Sequence, residues 1–106
     1  METTVSRLAD LIDYQRGAVV SRQLLKEKTG NVTLFAFDGG EGLAEHTSPF
    51  AALVQGVEGE ATITIGSTSH HLSAGDILHL PADIPHGIRT EKPFKMLLTM
   101  IRAPHA

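Results

Sequence analysis

The chain has 106 residues, of which 42% are hydrophobic and 20% charged, with a formal charge of −3 and no cysteine. That length suits one domain, spanning 1–106, and the composition is too apolar for disorder. The acidic balance offers no basic surplus to a nucleic acid, no apolar run reaches the roughly 20 residues that cross a bilayer, and the missing thiols exclude a disulfide framework or a thiol nucleophile, so a cytoplasmic address is expected.

Val5, Leu8, Leu11 and Ile12 are spaced to share one face of a short helix, with Thr4 as its N-cap and Gly17 as its stop. This predicts a helical arm over 1–16. Everything beyond it reads as strand. Ala18 to Lys26 is the first, and it is apolar on both faces through Val19, Val20, Leu24 and Leu25. One face can pack on the chain's own core. The other needs cover, because an exposed apolar strand invites aggregation. A second copy of the chain is the expected cover, which makes a homodimer. Asn31 to Phe37 alternates with period two, and Asp38 to Gly42 is a turn. Further strands are predicted at 43–48, 51–57, 60–65, 69–72, 76–80, 86–90 and 94–102, separated by Glu58-Gly59, Gly66-Ser67, Gly75-Asp76, Ala82-Asp83 and Lys92-Pro93. Many short strands at regular spacing, with no helical pattern between them, mean an all-β sandwich or barrel.

Two segments say more. The first runs from Gly40 through Glu45-His46-Thr47-Ser48-Pro49-Phe50 to Gly59. The second runs from Gly75 through Pro81 and Asp83 to His86. Their spacings resemble the two cupin motifs, G-x5-H-x-H-x3,4-E-x6-G and G-x5-P-x-G-x2-H-x3-N. The resemblance covers about residues 31–102. Glu45-His46-Thr47, Ala52-Leu53-Val54-Gln55 and Lys95 to Met100 resemble a group of small, single-domain, RmlC-like cupins. The resemblance implies a double-stranded β-helix, or jelly-roll barrel, with a metal or small ligand in its mouth, and a homodimer that packs the N-terminal helix and first strand across the partner.

The departures bear on chemistry. Ser48 stands where the first motif has its second histidine, and Ala51 or Ala52 where it has its glutamate. Asp83 stands where the second motif has glycine. Of four implied ligands only His46 and His86 remain. A neutral hydroxyl is a poor ligand for zinc, iron, nickel, copper or manganese. The implied cofactor is at most a weakly bound divalent transition metal with waters completing its shell. Strand alternation points residues 46 and 48 to one side, and the motif spacing brings His86 opposite. The expected pocket is His46, Ser48, Ala52, His86, Met96 and Met100.

Each residue also has a plainer reading. His46 and His86 can be hydrogen-bonded motif remnants. Met96, Leu98 and Met100 share a strand face and suit a core, although methionine also adapts to apolar ligands. His79 alternates with Leu78 and Leu80 and is expected outside. His70 and His71 are adjacent on a strand and cannot serve one site. His105 lies in the tail. Gln55 can face a ligand or a partner. Gly56 marks a bulge or a close backbone approach. Glu41, Glu45, Glu58 and Glu60 read as a solvated acidic rim. Three function classes follow. One is a small-molecule binding or sensing module, favoured by the depleted ligand set. Another is a metal-dependent dioxygenase or isomerase. The last is a metal-free enzyme with His46 or His86 as general base.

Overall fold

A computed structural model describes residues 3–102 of the protein. Among them nine strands form two antiparallel sheets: β1 Val19–Glu27, β2 Gly30–Phe37, β3 Gly42–His46, β4 Phe50–Glu58, β5 Glu60–Ile65, β6 Thr68–Ser73, β7 Ile77–Leu80, β8 His86–Arg89 and β9 Phe94–Arg102. The five-stranded sheet has the order β1-β2-β9-β4-β7 and the four-stranded sheet β3-β8-β5-β6. This is the expected jelly roll, with each strand within a residue or two of its predicted span.

Period-two patterning explains the layering. Phe37, Val54, Ile63, Phe94 and Met96 point between the sheets and are 0–1% exposed. Each such side chain stabilises the fold by roughly 1.5–3 kcal/mol. The opposite face of the five-stranded sheet is also partly buried, since Leu34 and Ala36 on β2 are 0% exposed. Their cover is the N-terminal arm, whose Leu8, Leu11, Ile12 and Tyr14 pack on Leu34, Ala36 and Leu97.

The arm corrects the expected helix. Only a four-residue 3-10 turn, Leu8–Leu11, forms, with Arg7 rather than Thr4 at its cap position and no side-chain capping bond. Val5 is fully exposed. A segment this short cannot sustain a helix by itself, so Leu8, Leu11 and Ile12 pack on the sheet face individually. The Arg22 guanidinium donates to the Leu11 carbonyl at 2.8 Å. The arm also alters the expected role of the first strand. Val19 packs toward the core between the sheets, and Val20 and Leu24 pack under the arm of the same chain. Of the four apolar residues of β1, Leu25 alone is exposed, at 55%.

A polar cluster pins the arm. Lys95 is buried, donates to the Ala9 carbonyl at 2.6 Å and lies 3.5 Å from the Glu58 carboxylate. Its ammonium sits 4.9 Å from the centre of the Tyr14 ring. The Tyr14 hydroxyl donates to Glu58 at 2.5 Å. Glu58 is therefore no plain member of a solvated rim. Burial, together with the hydrogen bond to the Glu58 carboxylate and its charge, pushes the Tyr14 phenol far above its ordinary value.

Gly56 serves both roles its strand position suggested. A Cβ there would meet the Ser73 carbonyl oxygen at 2.1 Å, and the β4–β9 register slips between Gly56 and Glu58. Among the described residues no helix is long and apolar enough to cross a membrane.

Candidate functional site

The site begins with a pairing between short strands. β3 and β8 run antiparallel, and after an irregularity between Leu43 and His46 the register sets His46 directly opposite His86. The two rings meet edge to face, 4.6 Å between centres and 63° between planes. His46 Nδ1 lies 2.9 Å from the Ala44 carbonyl, and His86 Nδ1 lies 3.2 Å from the Ile84 carbonyl. A carbonyl oxygen can only accept, so each Nδ1 carries the proton. In the neutral ring each Nε2 then presents a lone pair.

Behind the pair lies a cavity of about 220 Å³. Phe35 of β2, Ala52 of β4 and Met96, Leu98 and Met100 of β9 form its wall on the larger sheet. Leu43, Phe50, Leu80 and Ile88 complete it. All six residues expected to share a pocket line this one space. Ser48 arrives differently from the strand alternation that placed it, because β3 ends at His46. It sits in the connection to β4, where its Oγ accepts the Phe50 N–H at 3.2 Å. The Ser48 carbonyl accepts the Asp83 N–H at 2.8 Å, which ties the two motif segments together. Asp83 has φ 65°, a left-handed backbone that glycine, the motif's residue at this place, adopts at no steric cost.

The electrostatics are simple. Among the described residues no Asp, Glu, Lys or Arg lines the cavity. Among the described residues there is no group of three or more His, Cys, Asp or Glu side chains able to hold a metal ion. Ser48 and Ala52 occupy the wall where further ligands would be needed, and Ser48 Oγ already accepts a backbone bond. Two imidazole nitrogens are a poor fit to a resident metal, which takes three or four protein donors in most closed or catalytic sites.

The remaining singled-out residues lie elsewhere. Gln55 and His79 are exposed on the outer face of the larger sheet. His70 pairs with Ile63 on the inner face of the smaller sheet, whereas His71 pairs with Thr62 on its outer face, near Glu60 and Ser73. His105 lies outside the described residues. Of the apolar wall, Ala52, Met96 and Met100 were expected, whereas Phe35, Leu43, Phe50, Leu80, Ile88 and Leu98 escaped the sequence reading. Phe35 reaches the cavity because β2 pairs with β9, which sets it opposite Met96. No local pattern carries that long-range register.

A two-sheet β sandwich with paired histidines over an apolar interior defines a scaffold of the barrel type. Comparison with known proteins narrows it. The family model for the cupin domain matches residues 33–101, and the chain belongs to the cupin family. A conserved protein of unknown function from Streptococcus pyogenes has a similar structure, with a TM-score of 0.92 and 28% identity, over 97% of this chain and 90% of that one. A cupin superfamily protein from Desulfitobacterium hafniense gives 0.91 and 29%, over 97% and 94% of the two chains. A Cupin 2 conserved barrel domain protein from Leptotrichia buccalis gives 0.86 and 34%, over 89% of this chain and 46% of that one. The first two alignments are long enough to take in β1 and most of the arm, which lie outside the family match. No curated protein matches the chain.

Proposed function

We propose that the protein binds a small, largely apolar molecule behind His46 and His86 and works as a binding or sensing module. The observation that carries this reading is a walled cavity of about 220 Å³ with imidazoles and one hydroxyl as its polar groups. Apolar walls with a few convergent polar groups are the usual make-up of a ligand site.

A second reading, a metal-dependent enzyme of dioxygenase or isomerase type, draws on one observation. Each Nδ1 is held by a carbonyl, the arrangement that orients ligating histidines. It lacks a third donor, so any divalent metal is weakly held. A histidine general base has less support, because its orienting partner here is a carbonyl and not a carboxylate.

The test is thermal unfolding against a panel of small apolar compounds. Ligand binding to the folded state raises Tm by mass action. Compounds should raise the Tm of the unaltered protein and leave that of Ala52→Phe, whose side chain fills the cavity, unmoved. Equal behaviour of the two proteins overturns the reading. Metal analysis after dialysis against a chelator should find no stoichiometric metal. Retained metal would put the enzyme reading first.

For assembly, we propose a homodimer across the uncovered half of the larger sheet's outer face. Leu25, Val32, Thr99, Leu53 and His79 lie level across all five strands. Leu25, Leu53 and Ile101 are 55%, 38% and 58% exposed on that face, beside the half covered by the arm. None of the row carries a carboxylate, ammonium or guanidinium. A two-fold pairing lets such a face cover itself.

A further inference from the structure

We propose that the cavity selects a small neutral phenol: one six-membered aromatic ring with an O–H donor and at most one or two small substituents. The inference rests on the ligand-binding reading above and concerns what that ligand must be.

Size sets the first limit. Cavities of about 150 Å³ hold a benzene ring, and this one has about 220 Å³. One ring with a short substituent fits, and a fused polycyclic system does not. The walls set the second. Phe35 and Phe50 offer aromatic surface, and Met96 and Met100 offer thioethers, which make favourable contacts with rings. A flat aromatic guest suits this lining better than a polyol. A sugar brings several hydroxyls to a space with three polar side chains among the described residues, and those left unpaired would lose their water without replacement.

The polar end sets the third limit. Because both Nδ1 atoms face carbonyls, both neutral rings offer Nε2 as an acceptor. The ligand must supply a hydrogen-bond donor. Ser48 Oγ accepts the Phe50 N–H, so its own hydroxyl proton remains to be donated. A phenol meets both needs with one oxygen, donating its O–H to an imidazole Nε2 and accepting from Ser48. A carboxylate fails here. It has no proton to give, it faces two lone pairs, and no Lys or Arg lines the space to balance its charge.

Calorimetric titration with toluene, p-cresol and 4-methylbenzoate separates the cases. The three share a methylated ring and differ in the polar group. Cresol should bind about tenfold more tightly than toluene, the worth of one good hydrogen bond, and 4-methylbenzoate more weakly than either. His46→Leu with His86→Leu should remove most of the preference for cresol over toluene while toluene still binds. If that variant does not fold, the ring ¹⁵N signals of the two histidines in the unaltered protein should shift with cresol and not with toluene. Equal binding of toluene and cresol overturns the phenol and leaves the cavity as a ligand site. Preference for 4-methylbenzoate overturns it as well. If neither toluene nor cresol binds, the phenol falls, and if the panel also fails to distinguish Ala52→Phe from the unaltered protein, the ligand-binding reading falls with it.

Discussion

Asp83 holds a left-handed backbone, φ 65°, where a side chain brings Cβ against the neighbouring carbonyl. That geometry costs about 1–2 kcal/mol for an ordinary residue and less for aspartate, which visits it more readily. Asp83→Gly should therefore raise Tm by a few degrees, since about 1 kcal/mol moves a domain of this size by roughly 4–8 °C. Part of the gain is offset by the greater freedom of glycine in the unfolded chain. Asp83→Ala should lower Tm, because alanine loses the tolerance of aspartate without gaining that of glycine. Thermal unfolding followed by circular dichroism checks both, and an alanine variant at or above the unaltered Tm would show that the backbone there carries no cost. The substitution of aspartate for glycine was readable in the sequence, and so was the pair His46 and His86. The left-handed backbone at residue 83 was not, because a one-letter departure does not say what conformation the residue adopts.

The arm is the element whose chemistry is easiest to isolate. Tyr14 is the one tyrosine of the chain, and there is no tryptophan. Absorbance of the phenolate therefore reports this hydroxyl alone. It should ionise well above the ordinary value of about 10 in the folded protein and return to that value in denaturant, because burial and the Glu58 carboxylate both oppose the anion. Glu58→Gln should lower the folded value by removing the charge while keeping an acceptor. The folded phenol keeps its proton after the unfolded one has lost it. The contribution is therefore fully present below pH ~10 and fades as pH rises further. An ordinary titration in the folded state would mean that the arm is not docked. Sequence periodicity found the arm's apolar residues and misjudged their form. Val5, Leu8, Leu11 and Ile12 fit a helical stripe, but Leu8, Leu11 and Ile12 also pack on a sheet face with Val5 left exposed, and tertiary contact prevailed over local pattern. Glu58 and Lys95 carried no local signal, since they meet through the β4–β9 pairing.

At the scale of the whole molecule, the alternation in Asn31 to Phe37 and Ala61 to Ile65 and the turn signals between strands made the two-sheet architecture legible. The cavity was legible in its motif residues and in Met96 and Met100. Its walls depend on which strands become neighbours, as with Phe35 beside Met96. The proposed pairing of two copies belongs to this scale too. Sedimentation at micromolar concentration should give about twice the chain mass. Leu53→Lys with Ile101→Lys should give the monomer mass with the fold intact, because two lysines on an apolar face would have to be buried without partners. A monomer without any substitution would refute the pairing. A dimer unaffected by the two lysines would place it on another face.

The position of β9 has a consequence for how the chain is made. It is the last of the described strands, yet it lies in the middle of the larger sheet, between β2 and β4. A ribosome releases β2 and β4 long before the strand that joins them. Until Phe94–Arg102 has emerged, both carry an open edge and half of the core has no floor. The larger sheet therefore closes only once β9 is available, and until then the emerging chain carries sheet edges that a chaperone or another chain can reach.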